Sequence, residues 1–117
     1  MHKAKILVIQ CIDLRFQKII DDDVTKNVEY GQFDRIAWPG ASKDFENVKT
    51  AAEISIKLHN PDEIIIYEHE DCGAYGEDNT IEIHRKNAQK LANSLKEIKP
   101  DLQVHLKIAS QTNIQNL

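Results

Sequence analysis

Between Asn60-Pro61-Asp62 and Asp71-Cys72-Gly73 the chain runs Glu-Ile-Ile-Ile-Tyr-Glu over residues 63–68, without any alternation of apolar and polar side chains. β-Branched residues crowd a helix and fit an extended chain, so this segment reads as a strand. A strand that is apolar on both faces must be covered on both. That requirement places it inside a parallel sheet with helices above and below.

Residues 5–10 (KILVIQ) repeat the pattern, and residues 33–38 (FDRIAW) and 103–109 (QVHLKIA) supply two further strands. Helical spacing fills the gaps. Residues 13–25 put Phe16, Ile19 and Ile20 on one side, residues 45–58 carry Val48, Ala51, Ala52, Ile54, Ile56 and Leu58, and residues 80–99 carry Ile83, Ala88, Leu91, Leu95 and Ile98. Pro39-Gly40, Asn60-Pro61 and Pro100 punctuate the elements. Strands alternating with helices imply right-handed crossovers. The expected fold is therefore an α/β three-layer domain with a central, mainly parallel sheet of about four strands.

A chain of 117 residues has the length of one domain, expected to span residues 1–117. Its 41% apolar and 29% charged residues suit a globular chain, and a net charge of −4 with scattered Lys and Arg offers no basic surface for nucleic acid. The six-residue apolar stretch after Lys3-Ala4 is too short for a signal-peptide core or a membrane span. We therefore expect a cytoplasmic protein with a small-molecule or protein partner, no nucleic-acid partner and no membrane association. In a reducing compartment its two cysteines read as thiols or metal ligands rather than a disulfide.

Ligands of parallel sheets bind beyond the carboxyl ends of the strands, which is where Cys11, His69 and Cys72 fall. Two thiolates and an imidazole have the softness that zinc prefers, and three protein ligands leave a fourth tetrahedral position for water or substrate. Taken singly, Cys11 fits a small buried hydrophobe at a strand end, and Cys72 an inert thiol in an exposed loop, as well as either fits a ligand. The run Cys11-Ile12-Asp13-Leu14-Arg15 adds a carboxylate and a guanidinium beside one of them, and a bidentate Arg15–Asp13 pair would aim the carboxylate and keep it ionised.

C-x-D-x-R after the first strand and H-x-x-C-G after a later one resemble the β-class carbonic anhydrases. The resemblance rests on Cys11, Asp13, Arg15, His69, Cys72, Gly73 and Ala74, and extends through Gly40, Ala51-Ala52-Glu53, Pro61 and residues 63–68. It implies zinc held by Cys11, His69 and Cys72, an Asp13–Arg15 dyad beside the metal, and reversible hydration of carbon dioxide to bicarbonate. It also implies a homodimer or higher even oligomer. One departure is the loop Trp38-Pro39-Gly40-Ala41-Ser42, where the family often carries Arg-Asn-Ala-Gly-Asn. Because the family is usually longer, two other readings stand beside the hydratase: a non-enzymatic zinc-binding module and a zinc hydrolase of another small substrate.

The remaining polar features read as structural. His59 and His84 are expected on solvated helix surfaces, His105 in a strand, Trp38 and Tyr75 as packing near the site, and Asp21-Asp22-Asp23 as an acidic helix end. No proton shuttle is evident.

Overall fold

The computed structural model describes residues 2–117. Five strands form one sheet in the order β2-β1-β3-β4-β5: β1 (Ile6–Gln10), β2 (Phe33–Ala37), β3 (Glu63–His69), β4 (Gln103–Ala109) and β5 (Ile114–Asn116). The first four run parallel, in register Ile6↔Phe33, Ile6↔Glu63 and Glu63↔Gln103, and β5 pairs antiparallel with β4. Three helices connect them: α1 (Gln17–Val24), α2 (Phe45–His59) and α3 (Ile81–Ile98).

Strand parity divides the core into two layers. Leu7, Ile9, Ile64 and Ile66 meet Val48 and Ala52 of α2 and Ala88, Leu91, Ala92 and Leu95 of α3. On the opposite face Ile6, Val8, Ile65 and Tyr67 meet Phe16, Ile20 and Val24 at and within α1. The continuous apolar strands are thus covered on both sides. Truncating a fully buried side chain such as Leu91 to Ala should cost about 2–5 kcal/mol.

Several details differ from the sequence expectation. β5 is a fifth strand of three residues, too short and too polar to show a period. The segment expected as one helix over residues 13–25 begins as a 3-10 turn at Leu14–Phe16, where the Asp13 carboxylate accepts the Arg15 amide at 2.9 Å, and becomes α-helical only at Gln17. In α2 the buried set is Val48, Ala52 and Ser55, so Ile54 and Leu58 fall on the solvent side; Ile98 of α3 is likewise exposed. α3 starts where the Thr80 hydroxyl accepts the Ile83 amide at 3.2 Å, an N-cap bond. Among the described residues no helix is long and apolar enough to cross a membrane.

Candidate metal centre

From β1 the chain crosses to β2 on one side and then returns to β3 on the other side of β1. That reversal opens a crevice at the carboxyl ends of β1 and β3. Cys11 is the first residue beyond β1, His69 the last of β3, and Cys72 lies in the turn that follows. All three are buried, and their donor atoms lie within 4.8 Å of one another. The two sulfurs are 4.0 Å apart. A tetrahedral ion with metal–sulfur bonds of about 2.3 Å needs them roughly 3.8 Å apart, so the pair fits.

The imidazole supplies a second test of fit. Its Nδ1 lies 2.8 Å from the Glu70 carbonyl, which only accepts, so Nδ1 carries the proton and Nε2 keeps a free lone pair. Nε2 is buried without any hydrogen-bond partner. An isolated polar atom of this kind is costly, and metal ligation would satisfy it. Stacking on Phe16, with centroids 4.3 Å apart, holds the ring in place.

The two thiols differ in their surroundings. Burial pulls the Cys11 thiol up, but the neighbouring His69 ring and the backbone amides of Gly40 and Asp13 outweigh it and bring the value down to about 7. Burial dominates at Cys72 and pushes it up to about 11. The Gly40 amide reaches the Cys11 sulfur at 3.3 Å, and this approach needs glycine: φ is +76°, and an added Cβ would stand 2.9 Å from the Ala74 Cβ.

Beside the cluster, Arg15 grips Asp13 with two parallel bonds, Nη2 to Oδ2 at 2.8 Å and Nε to Oδ1 at 3.1 Å. These bonds hold the Asp13 carboxyl at about 2, well below the usual carboxylate range. Arg15 also donates to the Asp71 carboxylate at 3.0 Å and to the Asp71 carbonyl at 2.9 Å, tying the turn after β1 to the turn after β3. Asp71 does not stand out in the sequence, although it lies inside the H-x-x-C run. Outside the cluster opens a cleft of about 340 Å³ with Cys11, Cys72 and Asp13 along it and Ile12, Leu14, Pro39 and Ala74 among its mainly apolar walls.

With this geometry in view, a family model described as "Putative carbonic anhydrase" matches residues 1–116. The chain belongs to that family. Two relatives are uncharacterized proteins: one from Rickettsia bellii, 28% identical over 90% of this chain and 76% of its own, and one from Rickettsia conorii, 31% identical over 64% and 45%. Two similar solved structures are β-carbonic anhydrases. The fold matches CafA of Aspergillus fumigatus with a TM-score of 0.66 at 15% identity, covering 99% of this chain and 76% of that one. It matches a structure of the tetrameric β-carbonic anhydrases of Sordaria macrospora with a TM-score of 0.63 at 14% identity, covering 100% and 82%. The β-carbonic anhydrase-like α/β fold expected from the sequence is therefore the fold of this family member.

The largest correction concerns His84, expected on a solvated surface and in fact 1% exposed, with Nδ1 2.7 Å from buried Glu68. A sequence signal was available: His84 precedes Ala88, Leu91 and Leu95 at the spacing of the buried stripe of α3. His59 is half-buried with Nδ1 2.7 Å from Asp34, and His105 pairs with Glu63 at 2.8 Å on the surface. The Asp21-Asp22-Asp23 run divides by helical position. Asp22 is exposed beside Lys18, whereas Asp21 takes Arg35 and Asp23 takes Lys107 and the Tyr67 hydroxyl.

Proposed function

We propose that this chain is a zinc-dependent carbonic anhydrase catalysing the reversible hydration of carbon dioxide to bicarbonate. The observation that carries the reading is the convergence of three donors, Cys11, His69 and Cys72, beside a carboxylate whose two oxygens are already engaged by Arg15. Cys11, His69 and Cys72 would hold the ion, and two soft donors with one imidazole favour zinc. Bound there, zinc supplies a water activated near neutral pH.

The chain's own residues then act by position. Asp13, kept ionised by Arg15, accepts a hydrogen bond from the reacting water and orients it. Arg15 holds that carboxylate to its own side and away from the role of a fourth ligand. Asp71 anchors Arg15 from the other turn. The apolar walls of the cleft suit carbon dioxide and offer little to a polar ester or amide.

Ile12 and Leu14, 54% and 85% exposed, leave an apolar rim at the cleft mouth. We take this rim, with the tetrameric state named for the Sordaria macrospora enzymes, to support a homodimer or larger even oligomer. Sedimentation that finds a monomer at high concentration would reject it. Thiolate ligands also need a reducing compartment, which suits the cytoplasm.

Stopped-flow hydration of carbon dioxide, on protein whose zinc content has been measured, tests the function. Catalysis that follows zinc occupancy is the expected result. Full occupancy without catalysis rejects the hydratase and favours the metal-binding module.

A further inference from the structure

Behind the metal-holding cluster lies a sealed polar group that the reaction above does not use. Glu68, one residue before His69 on β3, and His84, in the first turn of α3, are both buried, as are Ser42 and Tyr75. The Glu68 carboxylate accepts the Ser42 hydroxyl at 2.7 Å on Oε2 and the Tyr75 hydroxyl at 2.6 Å on Oε1, and His84 Nδ1 lies 2.7 Å from the same Oε1. Tyr75 is itself held by Asn87 at 3.2 Å and packs on the His84 ring with centroids 4.0 Å apart.

The other side of His84 leads to the metal site. Asn79 Nδ2 donates to the carbonyls of Cys72 at 3.1 Å and Gly76 at 2.8 Å, which turns its oxygen toward the Cys72 amide at 3.0 Å. That oxygen also lies 3.2 Å from His84 Nε2. An amide oxygen only accepts, so Nε2 is the donor, and both ring nitrogens of His84 are spent. A sealed ring with both nitrogens engaged is no proton shuttle to solvent.

Buried carboxylate–imidazole pairs add little stability over apolar residues of the same volume, so the use of this one is directional. The geometry points to His84 as a positioning residue for the metal centre. Through Asn79 it fixes the backbone on both sides of the Cys72 peptide, and Glu68, held by Ser42 and Tyr75, fixes His84 in turn. The inference rests on the reading of Cys72 as a metal ligand and goes beyond it, since Glu68, Asn79 and His84 are not among the three converging donors.

The test compares the parent with Asn79→Ala, His84→Phe and the double variant Glu68→Gln with His84→Phe, which avoids stranding a buried carboxylate. Hydrogen exchange at the Cys72 amide is read in the protein as purified. Affinity and visible absorption are read with cobalt(II), whose bands report ligand geometry. Exchange at Cys72 should rise by roughly tenfold or more with the Leu7 and Ile9 amides unchanged, and cobalt affinity should fall roughly 10–100-fold with shifted bands. His84→Gln, which keeps an N–H toward Asn79, should recover most of the loss. Folded variants with parental Cys72 exchange, or with parental cobalt affinity and spectrum, overturn the inference. If His84→Phe fails to fold, the same readouts on the Glu68→Gln, His84→Phe double variant decide between these outcomes, because Asn79→Ala acts on the Cys72 backbone directly. A parent that binds cobalt but does not hydrate carbon dioxide sinks the proposed activity while the response of the variants still supports the positioning role; a parent that binds neither zinc nor cobalt overturns both.

Discussion

Replacing Gly40 with Ala probes the packing of the site at its tightest point. Two costs can be read from the structure. The backbone φ of +76° is left-handed, and an L-residue there loses roughly 1–2 kcal/mol. The new Cβ would also lie 2.9 Å from the Ala74 Cβ and 3.3 Å from the Lys43 Cβ, so the 73–75 turn must move, an overpacking cost of about 1–3 kcal/mol. Together these give about 2–5 kcal/mol, a large part of the roughly 5–15 kcal/mol that stabilises a domain. The same displacement lengthens the Gly40 amide contact with the Cys11 sulfur and shifts the loop that carries Cys72, so metal affinity should fall too. Urea unfolding measures the first effect and chelator competition the second. Adding Ala74→Gly to Gly40→Ala should restore the steric share and leave the backbone share, so the pair should be non-additive. A Gly40→Ala protein within about 0.5 kcal/mol of the parent, or a strictly additive pair, would refute the close approach of these two loops.

Cys72→Ser should remove most bound zinc and lower thermal stability in zinc-loaded samples, because metal binding couples to folding; metal analysis showing full occupancy would remove Cys72 from the ligand set. Arg15→Ala should keep zinc but lose most hydration activity, and Asp13→Ala should keep zinc with impaired turnover, so zinc stoichiometry and stopped-flow rates on both variants decide whether the dyad takes part. Ligation requires two thiolates and a neutral imidazole; burial pushes Cys72 up to about 11, Cys11 is brought down to about 7, and His69 is raised, against its burial, by the neighbouring Cys11, so binding at pH 8 releases mainly the Cys72 proton while binding below pH 7 also releases those of Cys11 and His69. Affinity should therefore weaken as pH falls, and more steeply below about pH 7; calorimetry in buffers of different ionisation enthalpy counts the protons, and a pH-independent count contradicts the assignment.

Much of this protein is legible along the chain because its two central strands, β1 and β3, are covered on both faces. Ile64, Ile65 and Ile66 must all be buried whatever the partner, so the run declares itself without knowledge of the tertiary fold. Cys11, His69 and Cys72 are equally visible as candidates, since each lies at or just beyond the carboxyl end of a strand. Their meeting depends on strand order. Only the adjacency of β1 and β3 brings two distant segments to one crevice, and hydrophobic patterning does not encode which strand lies beside which. β5 stays hidden because three residues on a sheet edge are held by pairing with β4, not by apolar periodicity. The pairing of His84 with Glu68 stays hidden for a further reason, although the helical spacing of His84 marks it for the buried stripe. A polar side chain reads as solvated until its partners are known, and those partners, Ser42, Tyr75 and Asn79, come from other turns of the chain. Burial of polar groups is settled by three-dimensional hydrogen bonding, which no linear pattern states.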